Sequence, residues 1–93
     1  MNVNFTPNAK DDLTAIRDWI AQDDERAADN VIARILQTAM MFGQFPMLGR
    51  NGLVEGTREF SVVGLPYVIV YQITSETELD VLTVVHTRRK YPV

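Results

Sequence analysis

Apolar and polar positions change their spacing along this chain, and each change marks a boundary. "NVNF" alternates, with Val3 and Phe5 on one side, which predicts a short strand over 2–5. In "TPNAKDD" Thr6 is a helix cap, Pro7 suits the first helical position, and Asp11 and Asp12 sit near the positive end of the dipole. Ala9, Leu13, Ile16 and Ile20 then follow at spacings of four, three and four, one stripe of a helix that Trp19 flanks. "QDDERAADN" breaks the pattern and offers Asp23 or Asp24 as the next cap. Ala28, Val31, Ile32, Ile35, Ala39 and Phe42 resume it, so the two helices form an αα-hairpin.

From Gly43 to Gly56 the segment "GQFPMLGRNGLVEG" has no sustained period and predicts a loop, with Phe45, Met47 and Leu48 held against the core. Period two then takes over. "TREFSV" puts Arg58, Phe60 and Val62 on one face and Glu59 and Ser61 on the other. "VGLP" turns the chain, "YVIVYQI" is rich in β-branched and aromatic residues, "TSET" turns it again, and "ELDVLTVV" completes an antiparallel meander. The second half of that last run is apolar on both faces, as a central strand requires. The order is β-α-α-β-β-β, an α+β fold with the helical hairpin on one face of a small, mainly antiparallel sheet and the other face partly open.

Composition narrows the function. The chain has 93 residues, so residues 1–93 are expected to form one domain that buries roughly two-thirds of its unfolded surface and gains stability from a partner. No cysteine is present, which removes disulfides and thiolate chemistry, and one histidine cannot build a histidine-rich metal site. No metal or cofactor is expected. Neither a signal peptide nor a membrane span is legible, which predicts a cytoplasmic protein without membrane contacts. A net charge of −3 argues against direct DNA binding. Against that balance, "HTRRKYP" gathers Arg88, Arg89 and Lys90 beside His86 and Tyr91, directly after the most apolar strand.

The element order, "GTREFSV", "LPYVIVYQI" and the terminal "VVHTRRKYP" together resemble the ParE/RelE superfamily of bacterial toxins, and within it the ParE branch of plasmid-stabilisation proteins. The resemblance spans essentially the whole chain. It implies a RelE/ParE-like fold, a growth-inhibiting toxin, and a cognate antitoxin whose C-terminal segment wraps it. It also implies one of two activities, which a shared fold does not separate. RelE-like members cleave mRNA on the ribosome. ParE-like members inhibit DNA gyrase by binding.

Cleavage through a 2′-hydroxyl requires a proton acceptor, a donor to the leaving oxygen, and cations around the developing phosphorane. RelE-like nucleases draw lysines and arginines for this from the open sheet face. Here Val68 stands where such a nuclease has an arginine after its tyrosine, and Phe60 and Val62 follow Arg58 where lysine is expected. The main reading is therefore a binding toxin that docks on gyrase through Arg58, His86, Arg88, Arg89, Lys90 and Tyr91. Each has a plainer role. Arg58 can pair with Glu55 or Glu59, His86 can bond locally at its strand end, and the basic run can be a solvated tail. The alternatives are a ribosome-dependent mRNA ribonuclease built on Arg58, His86, Arg88 and Tyr91, with His86 and Arg88 as catalytic candidates, and a non-toxic relic that only binds antitoxin. Trp19 and Ile20, on the outer side of the hairpin, are the antitoxin-binding candidates, with core packing as their plainer role.

Overall fold

The computed structural model describes residues 1–88. Its elements are β1 (Asn2–Phe5), α1 (Pro7–Ala21), α2 (Glu25–Met41), β2 (Arg50–Asn51), β3 (Arg58–Ser61), β4 (Tyr67–Ile73) and β5 (Glu78–His86). They form one five-stranded sheet in the order β1-β5-β4-β3-β2, with two helices packed on it. The expected α+β architecture is present with two additions. The predicted loop contains a two-residue edge strand, and β1 lies parallel to β5, pairing Val3 with Leu79 and Phe5 with Val81.

Both helix starts follow their caps. The Thr6 hydroxyl accepts the Ala9 N–H at 3.1 Å, and the Asp24 carboxylate accepts the Ala27 N–H at 3.0 Å. Ala9 from α1 and Ile35, Ala39 and Phe42 from the α2 region are fully buried against Ile69, Tyr71, Leu79 and Val81 of the sheet. Phe42 stacks on Tyr71 with ring centres 4.0 Å apart and meets Phe60 edge-on at 5.8 Å. Such pairs add about 0.5–1.5 kcal/mol each beyond their buried area.

The faces of the sheet follow from the register. Arg58 stands opposite Tyr71 and Phe60 opposite Ile69, so these two β3 side chains lie on the helix-covered face. Glu59, Ser61, Val68 and Val85 share the other face. Phe60 and Val62, expected with Arg58 on the face where a nuclease carries its cations, instead pack into the core.

Between Val70 and Tyr71 the β4–β5 register slips, with Thr83 opposite Val70 and Val81 opposite Tyr71, which makes Leu82 a bulge. The start of α1 repairs the broken ladder. The Thr6 hydroxyl donates to the Leu82 carbonyl at 2.9 Å, the Asn8 amide donates to the same oxygen at 3.3 Å, and the Asp12 carboxylate accepts the Val84 N–H at 3.0 Å and the Thr83 hydroxyl. The sequence shows Asp12 only as a dipole partner; in the fold it ties α1 to β5.

The 43–56 segment is held differently from the expectation. Phe45 and Met47 are 59% and 66% exposed, not packed inward, because the segment is fixed through its backbone. The buried Tyr71 hydroxyl accepts the Gly49 N–H and donates to the Pro46 carbonyl, both at 2.8 Å, while the Arg58 guanidinium donates to the Gly49 carbonyl at 2.7 Å. A Cβ on Gly49 would stand 2.8 Å from the Tyr71 ring, so only glycine lets the chain approach this closely. In the β3–β4 turn, Gly64 takes a positive φ of 76°.

Two outcomes follow. Asp12→Ala leaves the Val84 N–H without its partner and lowers the urea-unfolding free energy by about 1–3 kcal/mol. Burial raises the Tyr71 phenol above its ordinary 10.0, against the opposing Gly49 N–H and the Arg58 charge. Its proton is thus held more tightly in the folded state, so its contribution is complete below about pH 10 and is lost as pH climbs through the higher folded value. Tyr71→Phe flattens that alkaline decline and exposes the 43–56 segment to proteolysis.

Candidate protein-docking site

The end of β5 and the outer side of α1 enclose an open groove of about 310 Å³. Asp12, Ala15, Ile16 and Trp19 line it from α1, Tyr67 from β4, and Val84, His86 and Arg88 from β5 and the turn beyond it. The α1 residues recur at spacings of three, one and three, so they occupy one helical stripe beside the core-facing one. That spacing was available in the sequence. The pairing of this stripe with β5 was not, because it depends on the Leu82 bulge and the Asp12 tie.

Each wall has a distinct character. Trp19 is 71% exposed, so its core-packing role does not hold, and it lines the groove together with the apolar Ile16 and Val84. Ile20, one residue on and about 100° round the helix, is half-buried and is not part of the lining. The His86 ring meets Tyr67 edge-on, centres 5.4 Å apart. Its Nδ1 accepts the Arg88 backbone N–H at 3.1 Å. In the neutral ring the proton then resides on Nε2, so the free nitrogen is a donor and not a base. One oxygen of the Asp12 carboxylate, Oδ2, accepts from the Thr83 hydroxyl, the Val84 N–H and the Asn8 amide. The Arg88 guanidinium has no hydrogen bond or ion pair among the described residues.

Of the sequence-derived candidates, the fold brings Trp19, His86 and Arg88 together. Arg58 is two strands away on β3, half-buried and bonded to the Gly49 carbonyl rather than to Glu55 or Glu59. Arg89, Lys90 and Tyr91 lie outside the described residues. The open sheet face holds a second shallow hollow lined by Arg50, Leu53, Glu59, Ser61, Val68, Val85, His86 and Thr87. Its arginine is paired with Glu59 at 3.4 Å, and the second Glu59 oxygen accepts the Leu53 N–H at 3.0 Å. Among the described residues no three His, Cys, Asp or Glu side chains converge on a metal position, and no helix is long and apolar enough to cross a membrane.

Residues 3–91 match the family described as the ParE toxin of the type II toxin–antitoxin system, parDE. The chain belongs to the ParE toxin family. It is 34% identical over 90 residues to Y4kP, a candidate toxin of Sinorhizobium fredii, covering 97% of this chain and 92% of that protein. It is 39% identical over 71 residues to toxin RelE2 of Caulobacter vibrioides, covering 76% of this chain and 78% of that one. The fold matches a chain of the chromosomal ParDE toxin–antitoxin system from P. aeruginosa with a TM-score of 0.82 and 20% identity, over 92% of this chain and 95% of the other. As a ParE-family toxin of a type II system, the protein has an antitoxin as its partner.

Because Trp19 is largely exposed, Trp19→Ala shifts folding stability by no more than about 0.5 kcal/mol in denaturant titrations. A larger loss would mean that the indole supports the fold itself.

Proposed function

We infer that this toxin harms the cell by binding rather than by breaking bonds, with DNA gyrase as its target and the basic terminus as its docking surface. One observation carries the reading: among the described residues, the one arginine that lines the open-face hollow is paired. Arg50 is engaged by Glu59, and Leu53, Ser61, Val68, Val85, His86 and Thr87 line the rest of that hollow. Phosphoryl transfer needs positive charge aimed at the equatorial oxygens, and a paired arginine among aliphatic side chains supplies little. Arg58 acts by positioning, since its guanidinium fixes the 43–56 segment through the Gly49 carbonyl. His86, Arg88, Arg89, Lys90 and Tyr91 then make the contact with gyrase. Arginine and tyrosine are the residue types that concentrate interface energy.

The second reading, a ribosome-dependent mRNA ribonuclease on Arg58, His86, Arg88 and Tyr91, draws on the match to toxin RelE2. The occupied Nδ1 of His86 and the separation of Arg58 by two strands weigh against it.

Purified toxin is expected to block gyrase supercoiling of relaxed plasmid, and Arg88→Glu to weaken that block at least about tenfold, in keeping with the loss of a central charged anchor. Supercoiling that proceeds unimpaired in a large molar excess of folded toxin removes gyrase as the target. Primer extension on mRNA after induction separates the second reading, which requires cuts that vanish with His86→Ala.

A further inference from the structure

No charged residue stands between Arg34 and Arg50. Within that span Met40, Met41, Phe45, Met47 and Leu48 are each between 38% and 66% exposed. One continuous run of turns carries them: the Phe45 N–H donates to the Met41 carbonyl at 2.9 Å, and the Leu48 N–H to the Phe45 carbonyl at 3.0 Å. We propose that this surface is where two copies of the toxin meet, in a two-fold dimer that leaves both grooves open. The dimer is a property beyond target docking and does not depend on gyrase.

The backbone beneath these side chains is fixed. The Tyr71 hydroxyl holds Pro46 and Gly49 at 2.8 Å, and the Arg58 guanidinium holds the Gly49 carbonyl at 2.7 Å. A surface already held in place loses little freedom when it docks. Its methionines adapt their shape to an opposing face, and Phe45 supplies a stiff aromatic anchor.

Charge selects the occupant. Arg34 donates to the Val63 carbonyl and Arg50 is paired with Glu59 at 3.4 Å. Neither flanking cation is therefore left for an acidic segment, an anionic lipid surface or a nucleic acid. The matching surface is uncharged and apolar, and a second copy of the same span is such a surface. Each chain carries a net charge of −3, so two copies repel less when they meet on uncharged ground. Area agrees with this choice. The five side chains expose roughly 500 Å², in the upper range for the largest apolar patch of a monomer. A two-fold contact uses the patch from both sides and buries about 1,000 Å², the size at which a specific interface begins.

The contact also leaves the docking tip uncovered. Gly43, between Met41 and Phe45, lies so near β1 that a Cβ on it would stand 3.3 Å from Val3. Val3 in turn pairs with Leu79, near the start of β5. The groove lies where β5 ends, and none of the five residues lines it. One dimer then presents two tips, and a target with two matching sites is held by both at once.

Sedimentation velocity on the purified full chain reads the assignment. A dimer is expected at tens of micromolar, in keeping with an interface of this size. Phe45→Glu and Met47→Glu are each expected to weaken it at least about tenfold, with unchanged circular dichroism because both positions are exposed. Leu53→Glu, also largely exposed but outside the patch, is expected to leave the dimer as it was. A monomer at every concentration, or a dimer that survives both substitutions in the patch, overturns the proposal. A second measurement needs no variant. Peroxide converts exposed methionines to sulfoxides, and Met40, Met41 and Met47 are expected to react at least about threefold more slowly in the concentrated dimer than in dilute toxin. Equal rates by mass spectrometry overturn the proposal, as does protection that appears only when antitoxin is added to a monomeric toxin. No gyrase takes part in either experiment, so the result is separate from the choice of target.

Discussion

The structure depends on how α1 is joined to β5. A bulge at Leu82 interrupts the ladder of the longest strand, and an interrupted ladder leaves backbone groups that must be bonded elsewhere. Thr6, Asn8 and Asp12 meet that demand from one helical turn and the cap before it. Thr6 serves twice, accepting from Ala9 to start the helix and donating to Leu82 to seat it. The same residues that begin α1 therefore fix its position on the sheet, and with it the distance between Trp19 and the end of β5. The groove is a by-product of that joint.

A second fixed point lies under the long connection from α2 to β3. Tyr71 is buried, stacks on Phe42, and holds Pro46 and Gly49 by its hydroxyl, with Arg58 closing the bracket from the other side of Gly49. The connection is thus ordered by backbone contacts, which leaves its large side chains, Phe45 and Met47 among them, turned outward. This gives the arginine at the start of β3 a structural task. It is a structural donor, and on the open face at the other side of the strand Arg50 is paired with Glu59.

Much of the fold was legible in the sequence. Both helices, their caps and the three meander strands follow from spacing and turn residues, because a 3.6-residue stripe and a two-residue alternation leave different imprints. What escaped was long-range. The parallel β1–β5 pairing joins residues 76 apart in sequence, and no local pattern encodes it. The inward placement of Phe45, Met47 and Leu48 was expected from their hydrophobicity alone and is corrected for all three, since a hydroxyl pin on the backbone needs no apolar anchor. Part of the groove was also readable. Trp19, His86 and Arg88 stood out as chemistry-bearing residues, whereas Asp12, Ala15, Ile16 and Tyr67 looked like helix and core, and only the register makes them walls of one site.

The pairing of β1 with β5 has a temporal consequence. Protein synthesis runs from the first strand to the last, and domains organise as their segments emerge. Here the first strand finds its hydrogen-bonding neighbour only when residues 78–81 have emerged, after every other element has been made. The wall carrying Val84, His86 and Arg88 emerges later still. A ribosome partway through the message therefore carries a chain that has α1 and Trp19 but nothing facing them. The groove between α1 and β5 thus comes into being in one late step, when the last strand is laid down.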